Sequence, residues 1–192
     1  MTDFNYDSYC GIYCGACDIM MTYKTGNSYR LALFWNEATV KSLQKGLGLK
    51  YDESQPFKIE CHGCKSDLQF VNCRVCKIRD CAVSRKIEHC IDCENYPCNL
   101  TAGMKKNEFS LPHTKENHPN MMTIKQAGVD QWLSEQAKKW KCPECTTNFS
   151  WYTSSCTNCG SNLDKYSFKF TSFHFILMKI EIFLIPYLHR NK

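Results

Sequence analysis

The chain has 192 residues, of which 43% are hydrophobic and 22% are charged, and 15 of them are cysteines. Its net charge of +5, from 24 basic and 19 acidic residues, permits contact with nucleic acid or an anionic surface but does not require it. Because many of the hydrophobic residues are cysteines, ordinary apolar residues are scarce for a packed core, so bound metal is expected to contribute to folding.

Twelve cysteines form six pairs with two residues between the partners: Cys14/Cys17, Cys61/Cys64, Cys73/Cys76, Cys90/Cys93, Cys142/Cys145 and Cys156/Cys159. This spacing lets one tight turn direct both sulfurs at a single ion. The odd cysteine count, and an acidic N-terminal segment that lacks the regions of a secretion signal, disfavour a disulfide-bonded extracellular protein. We therefore expect a metal-binding protein of the reducing cytoplasm.

The chain opens with a group of three cysteines: Cys10, Cys14 and Cys17. The apolar run after Cys17 predicts a short helix that ends near Gly26. Residues 28–47 place apolar side chains at helical spacing, which predicts an amphipathic helix with Ser28 as its N-cap and its aromatic residues in the core.

The segment 61–98 carries eight further cysteines: Cys61, Cys64, Cys73, Cys76, Cys81, Cys90, Cys93 and Cys98. A short helix is expected to present Cys76 and Cys81, and another is expected to start near Cys98, after Pro97. Together these elements predict a small, mainly α, metal-stabilised domain over residues 1–106.

A polar stretch at 107–120 is predicted to be a linker, and residues 121–165 are predicted to form a helix plus a zinc ribbon. The helix is indicated by apolar residues between Val129 and Trp140. The ribbon is indicated by two cysteine pairs, Cys142/Cys145 and Cys156/Cys159, separated by ten residues. Residues 149–152 favour a strand, so we expect a β-hairpin that joins the two pairs around one structural Zn²⁺.

Residues 166–192 form an apolar tail interrupted by Lys179 and Glu181. Each charge at the centre of a bilayer costs about 2.5–3.5 kcal/mol, and the apolar stretch from Phe173 to Leu188 is short for a span. The tail is therefore expected to be a packing element or an interfacial segment, with no strong membrane signal.

The eleven N-terminal cysteines divide as four, four and three over four-coordinate sites, so one site would lack a sulfur. His62 or His89, which lie within the cysteine-rich segment, could complete it. Iron–sulfur clusters are the alternative to zinc, because thiolates bind both and the first three cysteines have the spacing of the radical-SAM triad.

Several motifs resemble those of the cysteine-rich microbial family known as domain of unknown function 3795. They are Tyr9–Cys17, Cys61-His-Gly-Cys64, Cys73–Cys81 and Lys86–Cys98, and some members carry an extension similar to Gly128–Cys145 with its ribbon. The resemblance covers residues 8–162 and implies cytosolic metal binding and a bacterial or archaeal source. It implies no activity. Thr146 stands where the first pair of the ribbon would usually be followed by glycine.

No phosphate-binding loop, nucleophile elbow or zinc-protease motif is present in the sequence, so an enzyme is not expected. We expect a structural or interaction module that binds an unknown protein or nucleic acid. The ribbon could contact nucleic acid through its lysines and aromatic residues: Lys138, Lys139, Lys141, Trp140, Trp151 and Tyr152. Core packing explains the same aromatic residues. The alternative function is an iron–sulfur protein with a redox or metal-handling role.

Overall fold

The structure is a computed structural model that describes residues 4–189. Residues 1–3 of the first predicted domain and 190–192 of the predicted tail lie outside this range. The α-helices are α1 (Asp18–Thr25), α2 (Glu37–Gly46), α3 (Val71–Arg74), α4 (Lys77–Arg85), α5 (Asn99–Lys106), α6 (Asn117–Ala127), α7 (Val129–Lys139) and α8 (Ser172–His189). Short 3-10 helices occupy Cys14–Ala16, Ala32–Phe34, Cys90–Asp92, Asn107–Phe109 and Pro112–Glu116. The prediction of a mainly helical protein is confirmed.

The ends of the first two helices follow from single residues. Helix α1 ends where Gly26 adopts a left-handed conformation, as the sequence predicts. The helix expected over 28–47 is shorter than predicted, because Asn36 rather than Ser28 caps it. The Asn36 side chain accepts a hydrogen bond from the Thr39 amide at 3.0 Å, and the chain before it forms a 3-10 turn.

Two helices of the cysteine-rich segment begin directly after a cysteine. Cys76 is the N-cap of α4 and Cys98 is the N-cap of α5, so both predicted helices are confirmed. The Cys98 side chain accepts a hydrogen bond from the amide of Thr101 in the first turn of α5. A cysteine in this position places its sulfur at the positive end of the helix dipole.

The segment predicted to be a linker packs against the first cysteine group. The Asn120 side chain donates a hydrogen bond to the Gly11 carbonyl at 2.8 Å, and the Asn117 side chain bonds to the Cys10 carbonyl. Trp132 of α7 is fully buried and meets the Tyr13 ring edge-on, with the ring centroids 6.2 Å apart. One continuous core therefore includes residues from the N-terminal segment and from α6 and α7.

The predicted β-hairpin is wrong: within residues 4–189 the C-terminal segment forms isolated β-bridges and no strand. The bridges join Lys141 to Asn148 and Ser155 to Asn162. The reason is that the aromatic segment 149–152 bonds outward to other parts of the fold. The Trp151 amide donates to the Ala16 carbonyl at 3.0 Å, and the Trp151 carbonyl accepts from the Phe168 amide at 2.7 Å. Burial of this segment in the helical core replaces pairing within a hairpin.

The apolar tail forms α8, which packs against α2. Its inward face carries Phe175, Met178, Ile182 and Ile185 at helical spacing. A Cβ atom added to Gly46 of α2 would lie 3.2 Å from the Ile185 side chain, so the two helices approach closely. No helix among the described residues is both long and apolar enough to cross a membrane.

Candidate metal centre

Four C-terminal cysteines converge on one point. The ligand atoms of Cys142, Cys145, Cys156 and Cys159 all lie within 4.8 Å of one another. The Sγ atoms of Cys142 and Cys159 are 3.7 Å apart, and those of Cys145 and Cys156 are 3.5 Å apart. Four thiolates bound at about 2.3 Å to one tetrahedral ion lie about 3.8 Å from one another. The arrangement therefore could bind a single metal ion.

The two cysteine pairs lie in loops of the same conformation. The amide of Thr146 bonds to the Cys142 carbonyl at 2.9 Å, and the amide of Gly160 bonds to the Cys156 carbonyl at 3.0 Å. Both residues have positive φ, 59° for Thr146 and 73° for Gly160. Glycine adopts this conformation without strain, whereas threonine does not. The first loop thus carries backbone strain that the second loop lacks.

Two hydroxyl groups contact the sulfurs. The Ser161 hydroxyl lies 3.2 Å from the sulfurs of both Cys142 and Cys159, and the Thr147 hydroxyl lies 3.3 Å from that of Cys145. The Thr147 contact is the main cause that lowers the pKa of Cys145 to about 5, and the Ser161 contact lowers the pKa of Cys142. Both contacts favour the thiolate, which is the form that binds metal.

The sequence interpretation missed these hydroxyl groups, although a signal was present. Thr147 follows Cys145 by two residues, and Ser161 follows Cys159 by two residues. In each loop the backbone turns beneath the cysteine pair, so the residue two positions after the pair lies on the same side as the sulfurs. A hydroxyl residue two positions after each pair could therefore have been read as a sulfur-bonding group.

A chain of side-chain hydrogen bonds links the loops to the first cysteine group. The indole N–H of Trp140, directly before the loops, donates to Gln136 at 3.1 Å. Gln136 in turn donates to Asn120 at 3.1 Å, and Asn120 donates to the Gly11 carbonyl at 2.8 Å. All three side chains are buried, so each polar group in the chain needs its partner.

The N-terminal cysteines are arranged differently. Outside the C-terminal site, no three Cys, His, Asp or Glu residues in the described part of the chain bring their ligand atoms within 4.8 Å of one another. Burial raises the pKa of Cys10 to about 11 and those of Cys17, Cys64 and Cys90 to about 12. Burial also raises the pKa values of Cys14 and Cys73, and nearby thiolates add to these shifts. In the described part of the chain, the N-terminal sulfurs are therefore near enough to influence one another but less closely grouped than the C-terminal four.

Among the described residues, neither predicted histidine lies in a group of three ligand residues whose ligand atoms are within 4.8 Å of one another. The His89 Nε2 atom lies 2.9 Å from an Asp7 oxygen, and the Lys65 ammonium donates to the same carboxylate at 2.7 Å. These bonds, with burial opposing them, leave the pKa of Asp7 below its usual value. The His62 ring packs between Phe4 and Tyr23, with centroid distances of 5.1 and 5.5 Å. His89 thus belongs to a buried ionic network, and His62 belongs to an aromatic cluster.

Comparison with known protein families identifies a relationship. A family described as "Protein of unknown function (DUF3795)" matches residues 6–103, about half of the chain. The match ends before the C-terminal metal centre, so it does not confirm that the extension is a family feature. Neither the curated proteins nor the solved structures contain a match to this chain. The match includes all eleven N-terminal cysteines, and the chain belongs to the DUF3795 family of proteins of unknown function.

Proposed function

We propose that this protein is a non-enzymatic, cytoplasmic interaction module whose C-terminal loops, residues 141–163, are held by one structural zinc ion. The observation that carries the proposal is the convergence of four cysteine sulfurs at distances of 3.5 and 3.7 Å. These distances agree with a single tetrahedral ion, and thiolates are ligands that zinc favours. Four protein ligands leave no open position for a substrate, so the ion serves structure rather than catalysis.

The ion would also fix the contact between the two ends of the chain. The segment between the cysteine pairs carries Trp151 and Tyr152, which are both buried. The Trp151 amide bonds to the carbonyl of Ala16, which lies between Cys14 and Cys17. Because zinc closes the loop that contains this segment, it reduces the entropy lost when the segment docks. Loss of zinc is therefore expected to loosen the first cysteine group as well.

Zinc content tests the proposal directly. Full-length protein is purified without chelator, and zinc per chain is measured by elemental analysis. Cys156→Ser should lower the content by one zinc ion per chain, because it removes one of four ligands. Thr157→Ala, at an exposed position inside the same loop, is the matched control and should leave the content unchanged. Equal zinc content in wild type and Cys156→Ser would contradict the proposed site.

For the partner, we propose a protein rather than a nucleic acid. Trp140, Trp151 and Tyr152 are 2%, 4% and 5% exposed, so their rings are not available for stacking on bases. Lys138 and Lys141 are exposed and could contact phosphates. A titration with single-stranded RNA and DNA at low salt distinguishes a protein partner from a nucleic acid. No binding to either strand is expected. Salt-sensitive binding that Lys138→Glu weakens would favour a nucleic-acid partner.

An iron–sulfur protein with a redox or metal-handling role is the second candidate function. It is favoured by the wider separation of the N-terminal sulfurs, since each thiolate of a cluster can bind a different iron atom. Anaerobic purification separates the two functions. A brown protein that contains acid-labile sulfide supports clusters, whereas a colourless protein with two to four zinc ions supports a purely structural role.

A further inference from the structure

A cleft between α4, the 3-10 helix Cys90–Asp92 and the start of α5 is lined by four cysteines: Cys81, Cys90, Cys93 and Cys98. We call it the four-cysteine cleft. Its other lining residues are aliphatic except for Tyr96 and Thr101, and among them there is no histidine, aspartate or glutamate. Four thiols that share one cleft without a histidine or a carboxylate form a set suited to a thiophilic metal group.

The sulfurs of the cleft are further apart than those of a site that holds one ion. No three of its sulfurs lie within 4.8 Å of one another, although the C-terminal sulfurs of the same chain do. A zinc ion requires close sulfurs, because all four bind one atom. Iron–sulfur clusters separate their thiolates, because the thiolates bind different iron atoms.

Groups around the cleft can stabilise negatively charged sulfur. The backbone amide of Thr101 donates to the Cys98 sulfur, and the Thr101 hydroxyl lies 3.8 Å from it. A positive charge, the Arg85 guanidinium, lies near the Cys81 sulfur and within electrostatic range of Cys93. Hydrogen bonds and positive charge at the sulfurs are among the factors that set the potential of a cluster.

We propose that the four-cysteine cleft binds one iron–sulfur cluster, in addition to the zinc ion of the C-terminal loops. Four thiolates complete the ligand set of a two-iron or a four-iron cluster, so the cluster has no open iron position for a substrate. This proposal names the residues that would bind a cluster if the protein has the iron–sulfur function. It does not depend on the C-terminal zinc, because the two sites share no residue.

The test uses the full chain, produced anaerobically and reconstituted with ferrous iron and sulfide. Iron, sulfide and zinc are counted per chain in wild type, Cys93→Ala and Cys145→Ala. Cys93→Ala should lose two or four iron atoms with an equal number of sulfides, the number giving the cluster type, and should keep the C-terminal zinc. Cys145→Ala is the matched control, which should lose one zinc and keep its iron.

Unchanged iron in a folded Cys93→Ala variant would overturn the proposal, as would a wild type that takes up zinc in the cleft and no iron. Should Cys93→Ala fail to fold, alkylation of native wild type with iodoacetamide gives a second measurement. The four cleft cysteines should become reactive together when the cluster is destroyed by oxidation and chelation of iron. Reactivity that does not change on loss of iron would equally refute the site. Failure of the zinc proposal is seen separately, in the zinc count of Cys145→Ala.

Discussion

The buried histidine His113 provides the most direct test of how the two ends of the chain are joined. It lies in the segment that the sequence predicts as a linker, and its ring stacks on Trp151 with a centroid distance of 3.8 Å. Its Nδ1 atom is hydrogen-bonded to the Tyr152 hydroxyl. Burial lowers the pKa of His113 from 6.5 to about 3. The folded protein therefore holds this imidazole neutral over a range where the unfolded chain binds a proton.

The sign and size of the effect follow from this difference in pKa. Between pH 6.5 and 3 the unfolded chain carries the extra proton, so the free energy of unfolding falls by about 1.4 kcal/mol for each unit that the pH decreases. At pH 5 the loss is about 2 kcal/mol relative to pH 8. His113→Phe keeps a ring against Trp151 but cannot be protonated. It also loses the bond to Tyr152, which costs about 1 kcal/mol.

Urea unfolding of wild type and His113→Phe from pH 8 to pH 5 measures the difference between them. The thiols and carboxyl groups are the same in both proteins, so their titrations largely cancel in this difference. Wild type should be more stable by about 1 kcal/mol at pH 8 and less stable by about 1 kcal/mol at pH 5. His118→Phe is the control for replacing an exposed histidine. A difference that stays constant from pH 8 to pH 5 would refute the reasoning.

Five further substitutions test the backbone and the core by urea unfolding at pH 7.5. Thr146→Gly should raise the free energy of unfolding by about 1 kcal/mol, because glycine adopts a positive φ without strain. Gly160→Thr, in the matching loop, should lower the free energy of unfolding by about 1 kcal/mol. Effects of the same sign and similar size in the two variants would contradict the assignment of strain to Thr146. Gly63→Ala should lower the free energy of unfolding by at least about 2 kcal/mol. A Cβ atom at this position would lie 2.0 Å from the Asn5 carbonyl oxygen, and the backbone there has a φ of +125°. An unchanged free energy of unfolding would show that this contact is absent. Trp132→Ala should lower the free energy of unfolding by about 3–5 kcal/mol. Trp132→Phe should lower it clearly less, because the buried indole N–H has no hydrogen-bond partner among the described residues. Equal losses in the two variants would contradict this expectation.

Features that depend on neighbouring residues could be predicted from the sequence. The approach of the sulfurs within Cys142/Cys145 and within Cys156/Cys159 is one example, because two intervening residues direct both sulfurs of a pair to one side of a turn. The end of α1 at Gly26 is another, because only a residue that tolerates a left-handed conformation closes the helix in this way. The mainly helical class followed from the same local patterns.

The aromatic segment 149–152 shows why other predictions did not hold. Its residue types favour a strand, and a hairpin would have exposed one face of them. In the structure the segment is buried and bonds to Ala16 and Phe168, so tertiary contacts outweigh local preference. The role of His113 was equally hidden, because its partners Trp151 and Tyr152 lie far along the chain.

By itself, the sequence determined that this chain carries paired cysteines that could hold metal, because the spacing within a Cys-x-x-Cys pair is a local property of one turn. Only the tertiary structure decided how the pairs combine. It gathers Cys142, Cys145, Cys156 and Cys159 at the spacing of a single ion and sets the sulfurs of the four-cysteine cleft further apart. The distance between two pairs depends on how distant segments pack, and packing arises from burial of side chains such as Trp132 and Trp151, which no local spacing encodes.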